Sequence, residues 1–206
     1  METVSSECSF EAAVDVSALL IISYMSEKVR LMSSKSIGSI VQSGMGQRKK
    51  DKIYLKMCIK LANQAYKEDN DVPFACVIVG SNTVITKAKN RVKKGDVTKH
   101  AEILALQEAQ KILRSDDLSG CTLYSNVEPC PMCSFMIREL KISRVCFSLS
   151  SPLMGGYTKW HILQDKSLSE VVPFGEPPEI IKGILSREAK KDFDRLGWSV
   201  FDVRTT

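Results

Sequence analysis

"CTLYSNVEPCPMC", residues 121–133, changes character halfway through. The first six residues have the composition and length of a strand. Pro131 then sits where a helix opens, because a first-turn N–H has no intrahelical partner to lose and the ring already sets a helical φ. "PMCSFMIREL" continues as that helix. Cys130 and Cys133 therefore bracket a helix N-terminus. The exposed N–H groups and the dipole there favour thiolates, and the spacing lets both sulfurs face one point beyond the helix end.

The same grammar extends outward. "VTKHAEILALQEAQKIL" (97–113) puts Ile103, Leu106, Ala109 and Leu113 on one helical face, with His100 and Glu102 in its first turn. Upstream, "PFACVIVG" (73–80) and "TVITKAK" (83–89) are separated by Ser81-Asn82 and predict a hairpin. "IYLKMCIKLANQAYKE" (53–68) spaces Tyr54, Met57, Cys58, Leu61 and Ala65 as a first helix. Downstream, "SRVCFSL" (143–149) reads as a strand. "PEIIKGILSREAKKDFDRLG" (178–197) predicts one closing helix through Ile181, Ile184, Leu185 and Ala189. Helix, hairpin, helix, strand, helix, strand is the order of an α/β layered domain with a mixed sheet.

A chain of 206 residues suits one domain with an appendage. Residues 52–206 form the expected domain. Residues 1–51 read as an N-terminal extension ending in the Ser/Gly-rich linker "SSKSIGSIVQSGMGQRKKDK" (33–52). The segment before the linker is equally compatible with one amphipathic helix, with disorder, or with a start codon placed too early, since Met25, Met32 and Met45 are available. "ALLIISYM" (18–25) is too short to cross a bilayer. Glu2, Glu7, Glu11 and Asp15 precede it where a secretory or mitochondrial leader would be basic or acid-poor. A cytoplasmic protein without a membrane partner is expected. Seven cysteines without a secretory leader argue against a disulfide framework. Cys58, Cys76, Cys121 and Cys146 lie in apolar stretches and read as small buried hydrophobes, which leaves Cys130 and Cys133 as the one close pair.

A neutral imidazole from His100 and two thiolates suit zinc, and three protein ligands leave the fourth tetrahedral position for water, as in catalytic sites. His161, the only other histidine, would close the site as Cys2His2 and make it structural; that reading, and a redox role for the C-x-x-C pair, are the less favoured ones. Glu102 alone would be an acid complementing a helix dipole. Beside a metal it becomes a group able to move the proton of a water without binding the metal.

"HAE" at 100–102, then 26 residues, then "PCPMC" at 129–133 resembles the H-x-E…P-C-x-x-C signature of the cytidine deaminase-like zinc deaminases. The likeness runs roughly from Lys52 to Leu149. "DVPFACVIVG" resembles the family's first strand, "CTLYSNVEPCPMC" resembles the guanine deaminase and tRNA adenosine deaminase branch, and "PFACVIV" (73–79) with "GDVTKHAE" (95–102) is closest in style to the guanine deaminase-like, free-base branch. The resemblance implies a three-layer α/β/α fold with a mixed sheet of about five strands. It implies one Zn2+ per chain on His100, Cys130 and Cys133, with Glu102 as the catalytic proton carrier. Asn90 would hold the substrate ring, ammonia would be released, and the protein would be a homodimer. Phe74, Tyr157 and Trp160 are candidates for stacking on a base, against the commoner role of such aromatics in packing.

A free guanine-like base, and so purine metabolism, is the favoured substrate reading, with nucleosides and nucleotides within the same small-molecule class. Ala75 and Cys76 stand where that branch usually has Gly-Ala, which adds bulk near the pocket. Editing of a base in tRNA or other nucleic acid is the alternative. "SSPLMGGYTKW" (150–160) counts against it, because its first basic residue comes only at Lys159. A non-catalytic zinc-stabilised binding module is the reading from another class. The cations Lys87, Lys89, Arg91, Lys93, Lys94 and Lys99 admit two accounts. Two-residue alternation from Lys87 to Lys93 predicts a solvated strand face, and a rim for an anionic substrate is the other account.

Overall fold

The computed structural model of the chain describes residues 46–198; the apolar run at 18–25 and most of the expected extension lie outside them. Strand β1 (Ala75–Gly80) sends Cys76 and Ile78 to one face and Val77 and Val79 to the other, so its sheet must be covered on both sides. Helix α1 (Gln47–Lys67) covers one face with Tyr54, Leu55 and Cys58. Helices α2 (Ala101–Leu113) and α3 (Pro131–Glu139) cover the other with Ala101, Ala105, Leu106, Ala109 and Ile137. The closing helix α4 (Ser186–Arg195) joins the α1 side, where Ala189 and Phe193 meet Ile59. The result is the three-layer α/β/α fold expected from the sequence. Cys58, Cys76, Cys121 and Cys146 are all buried, free thiols.

The sheet order is β2–β1–β3–β4–β5, with β2 (Thr83–Lys89), β3 (Cys121–Val127), β4 (Arg144–Leu149) and β5 (Glu179–Lys182). β1 runs antiparallel to both β2 and β3, whereas β3, β4 and β5 are mutually parallel. Ser81 and Asn82 close the hairpin with φ of 49° and 61°. Positive φ at both central residues is the turn whose twist matches paired strands. Among the described residues no helix is long and apolar enough to cross a membrane.

Four local expectations need correction. α1 begins at Gln47, so residues 47–51 belong to a helix and not to the linker. Gln47 donates to Asp51 one turn on, and Asp51 is tied into the core below, which holds a basic stretch in helical form. Its buried stripe is Tyr54, Leu55, Cys58, Ile59, Ala62 and Ala65, so Met57 and Leu61 sit at the stripe's edge. Leu113, the last residue of α2, is exposed. Residues 178–197 are not one helix: Glu179–Lys182 pair in parallel with β4, and only Ser186–Arg195 are helical. Ile180 packs toward α2 and α3 while Ile181 packs toward α1, a two-residue period that strand pairing selects. Gly183, at φ +83°, then turns the chain.

Asp51 anchors α1 to the sheet. Arg144 Nη1 and Nη2 each approach one of its oxygens at 2.9 Å, and Tyr124 Oη donates at 2.8 Å. Burial pushes the Asp51 carboxyl up, but the Arg144, Tyr124 and Gln47 hydrogen bonds outweigh it and hold the group below the ordinary carboxylate range. Asp51→Asn is therefore expected to cost about 3 kcal/mol, the low end for breaking a buried pair, because Arg144 keeps Glu179 as a second partner. A depressed folded-state value means the unfolded chain takes up the proton first. The stabilisation is thus complete above about pH 4 and fades as pH falls through the folded value. Denaturation midpoints of the two proteins should differ at neutral pH and converge in acid. A gap that persists unchanged at the lowest pH would show that the carboxylate charge is not the source.

Candidate active site

Antiparallel pairing places the start of β1, the end of β2 and the end of β3 at one edge of the sheet, since Ala75 pairs with Lys89 and Cys76 with Ser125. The parallel strands β3 and β4 end at the same edge, which is where open α/β sheets build their sites. Asn90 follows β2 directly, and Glu128 to Cys130 follow β3 directly.

His100 and Cys130 are each the N-cap residue of a helix, α2 and α3 respectively, in extended conformation, and neither side chain caps its own helix. An N-cap side chain ordinarily accepts a first-turn N–H. Here Asn90 takes that task for α2, its Oδ1 accepting from Ala101 N at 2.7 Å, which leaves the imidazole of His100 free. Pro131 does the equivalent at α3 by removing one N–H. His100 was expected inside the first turn; its position just before the helix is what turns its ring past the helix end.

The three donor atoms form a nearly equilateral triangle. His100 Nδ1 lies 3.5 Å from Cys130 Sγ and 3.6 Å from Cys133 Sγ, and the two sulfurs are 3.6 Å apart. Zinc bonds of about 2.3 Å to sulfur and about 2.0–2.1 Å to nitrogen, at tetrahedral angles, call for edges of about 3.6–3.8 Å. The donor set fits zinc in size and in chemistry. Among the described residues these three are the group of His, Cys, Asp and Glu placed to hold a metal. His161 is exposed, beside Gln164, and does not join them, so the site is not closed Cys2His2.

The thiols show what the site demands. The contact from Cys133 holds the Cys130 thiol down to about 4 against the opposing effect of burial, with His100 helping. That same contact and then burial push the Cys133 thiol well up. Two sulfurs this close share one proton unless a cation neutralises both. The hydrogen bond to Cys130 raises His100 above the ordinary imidazole value.

Glu102 is buried, with Oε2 3.6 Å from Cys133 Sγ and Oε1 receiving the Ser125 hydroxyl at 2.9 Å. Burial raises its proton affinity above the ordinary carboxylate value, more than Ser125 and His100 lower it. Asn90 is buried too, and with Oδ1 committed, its Nδ2 amide makes no hydrogen bond among the described residues. The aromatics divide. Phe74 stacks at 5.9 Å on Phe193 and meets Trp198 edge-on at 6.0 Å, so its ring is occupied in the α1 and α4 layer. Tyr157 packs 6.5 Å from Phe147 with Lys182 over its ring. Trp160 alone of the three keeps a largely exposed ring, at 54%.

Beside Ser125, Glu128 and Arg138 also escaped the sequence reading. Glu128 is buried and accepts from Ser151 N, Tyr157 N, Thr158 N and Thr158 Oγ1 at 2.7–3.0 Å, which clamps the loop after β4 to the Cys130 segment. Gly155 is required there, since a Cβ would fall 2.1 Å from Glu128 Oε1. Arg138 is wholly buried and donates to the carbonyls of Ile162, Asp165 and Gly175, fastening the rest of that loop to α3.

The family profile described as the cytidine and deoxycytidylate deaminase zinc-binding region matches residues 48–149. A tRNA-specific adenosine deaminase of Aquifex aeolicus (strain VF5) is 36% identical over 135 residues, 62% of this chain and 89% of that protein. The chain belongs to the cytidine and deoxycytidylate deaminase family. A further relative of this deaminase-family chain, a probable cytosine deaminase of Schizosaccharomyces pombe, is 47% identical over 103 residues; the match spans 50% of this chain and 62% of that relative's length. A structure solved in studies of A-to-I editing by tRNA:A34 deaminases superposes with a TM-score of 0.61 at 26% identity, covering 68% of this chain and 97% of that one. The family's chemistry is zinc-dependent hydrolytic deamination of nucleobases or nucleosides. The matched region contains His100, Cys130 and Cys133.

Proposed function

We propose that this protein hydrolyses the exocyclic amine of a nucleobase, with a free guanine-like base as the first substrate to test. The observation that carries the chemistry is the buried Glu102 carboxylate beside an open-sided His-Cys-Cys donor set. His100, Cys130 and Cys133 would hold zinc, which when bound polarises water and lowers its pKa. Glu102 would take a proton from water at Oε2 as the water oxygen bonds to the ring carbon that bears the amine, pass that proton to the ring nitrogen, and then carry the second proton of the water to the amine, which leaves as ammonia. Asn90 Nδ2 would donate to an acceptor on the base edge, and the clamped loop at 151–160 would limit water entry. An intact carboxylate and family membership stand against a purely binding role. The free-base preference rests on the motif style of residues 73–79 and 95–102. We extend the reading to a homodimer, for which the partly exposed Met132 and Phe135 on α3 offer an apolar face.

A second reading, deamination of a base within RNA, is favoured by one specific observation. Only Lys87 and Lys89 lie on β2; Arg91 precedes, and Lys93 and Lys94 lie in, a short 3₁₀ turn on the loop from Asn90 to His100. Lys89 pairs with Asp69 at 2.6 Å and Lys99 with Asp96 at 3.5 Å. Arg91, Lys93 and Lys94 form no ion pair among the described residues, although Arg91 and Lys94 act on Asp69 at longer range. The alternating strand face therefore ends at Lys89, and the remaining cations sit on the loop that carries the site.

Ammonia release from free bases, nucleosides, nucleotides and a tRNA anticodon stem-loop decides between the two. The expected outcome is turnover of a free base, guanine first, with a KM that is insensitive to salt and unchanged in Lys93→Glu/Lys94→Glu. Turnover confined to the stem-loop, with a KM that rises steeply with salt and in the double variant, would replace the free-base reading with the RNA one.

A further inference from the structure

Ser125 lies on β3, opposite Cys76 of β1, with no exposed surface. Its hydroxyl has one proton to donate. Two acceptors are within reach: Glu102 Oε1 at 2.9 Å and Ala75 O at 3.4 Å. The shorter contact is to a carboxylate, and a hydrogen bond to an ion is the stronger kind. We propose that Ser125 is the positioning residue for Glu102, fixing Oε1 so that Oε2 is the oxygen presented to the His100–Cys130–Cys133 centre. The proposal rests on the reading of Glu102 as the proton carrier.

The final torsion of a glutamate is broad, so packing around the chain sets the position of the carboxylate but leaves the tilt of its plane, and with it the direction in which the second oxygen points, to the hydrogen bond on the first. Cys76, which feels the Glu102 charge, and Ala105 belong to the core cluster on this side of the sheet. Among the described residues the side chains hydrogen-bonded to Glu102 are Ser125 at Oε1 and Cys133 at Oε2. Cys133 belongs to the donor set and so cannot serve both tasks once its sulfur is a metal ligand. Ser125 is then the side-chain contact that remains to orient the carboxylate. A proton carrier displaced or rotated by about 1 Å loses about 10²-fold in rate, so the hydroxyl acts on turnover and not on the affinity for substrate, which it does not face.

The test uses the zinc-loaded full chain. Ser125→Ala is expected to lower kcat about 10- to 100-fold while KM stays within about 2-fold and zinc stays at one per chain. Ser125→Thr, which restores a hydroxyl at the same atom, should return most of the lost kcat. Independently of activity, the shifts in Tm of Ser125→Ala and Glu102→Ala should be non-additive in the double variant, because both remove the same bond. Wild-type kcat in Ser125→Ala, or additive Tm shifts, would overturn the assignment. If Glu102→Gln itself retained full turnover, the reading of Glu102 would be what had failed, whatever Ser125 does.

Discussion

Glu102→Gln is expected to lower turnover by about 10²–10⁴-fold, the usual span for a general acid–base group, while zinc stays at one per chain. Glutamine keeps the shape of the side chain. Its carbonyl oxygen still accepts from Ser125, and its amide takes the place of Oε2 beside Cys133. A donor near a metal-bound thiolate is compatible with the donor set, so folding and metal content should survive. What is lost is a site able to receive a proton from water and give it up again. Burial suits the native carboxylate to that task, because raising its proton affinity toward neutrality makes protonation and release closer in energy. Ammonia release and metal analysis on the same preparation check both halves. Full activity in Glu102→Gln would remove the proton carrier from the mechanism; loss of zinc with activity would show that the carboxylate supports the metal instead.

The parts of the fold that were legible in the sequence are those whose partners are close along the chain, whereas His100, 30 residues from Cys130, was joined to the cysteines by donor chemistry and the family motif. Ser81-Asn82 between two β-branched runs specified a hairpin because only that spacing and those φ values join twisted strands so tightly. Cys130 and Cys133 are three residues apart, and the start of α3 alone brings their sulfurs together. β5 was hidden because Ile180 and Ile181 run into Ile184, Leu185 and Ala189, and a two-residue strand period merges with a helical stripe when the strand has four residues. The cations of 87–99 misled for a related reason: their alternation continues past Lys89, where pairing with β1 stops. Ser125, Glu128 and Arg138 carried no local signal. Ser125 reaches Glu102 across 23 residues, Glu128 reaches Ser151 across 23, and Arg138 reaches Gly175 across 37. A polar residue in a strand or a helix reads as a solvated position until the layer that buries it is known. The sequence marks which atoms could meet a metal; the fold decides which buried hydroxyls and carboxylates hold those atoms in place.

Cys133→Ala should abolish zinc binding and activity together, and it is the clearest test of the donor triangle. The wild-type sulfur is fully buried and equidistant from His100 and Cys130, so its loss removes one corner and leaves two ligands, fewer than zinc sites of either kind use. The folded chain binds zinc and the unfolded chain lacks the assembled site, so metal adds to stability by mass action, by about 2.7 kcal/mol at a free zinc concentration of 100 times Kd. The wild type should therefore melt at a lower temperature after chelation, whereas Cys133→Ala should be insensitive to chelator and melt near the stripped wild type. A pH dependence separates this from a packing defect. Metal binding must displace the proton that the contact with Cys130 and burial keep on Cys133, so zinc affinity in the wild type should rise with pH. Retention of one zinc per chain in Cys133→Ala would mean that Cys133 is not a ligand, and that the triangle is a buried thiol cluster beside Glu102 and not a metal centre.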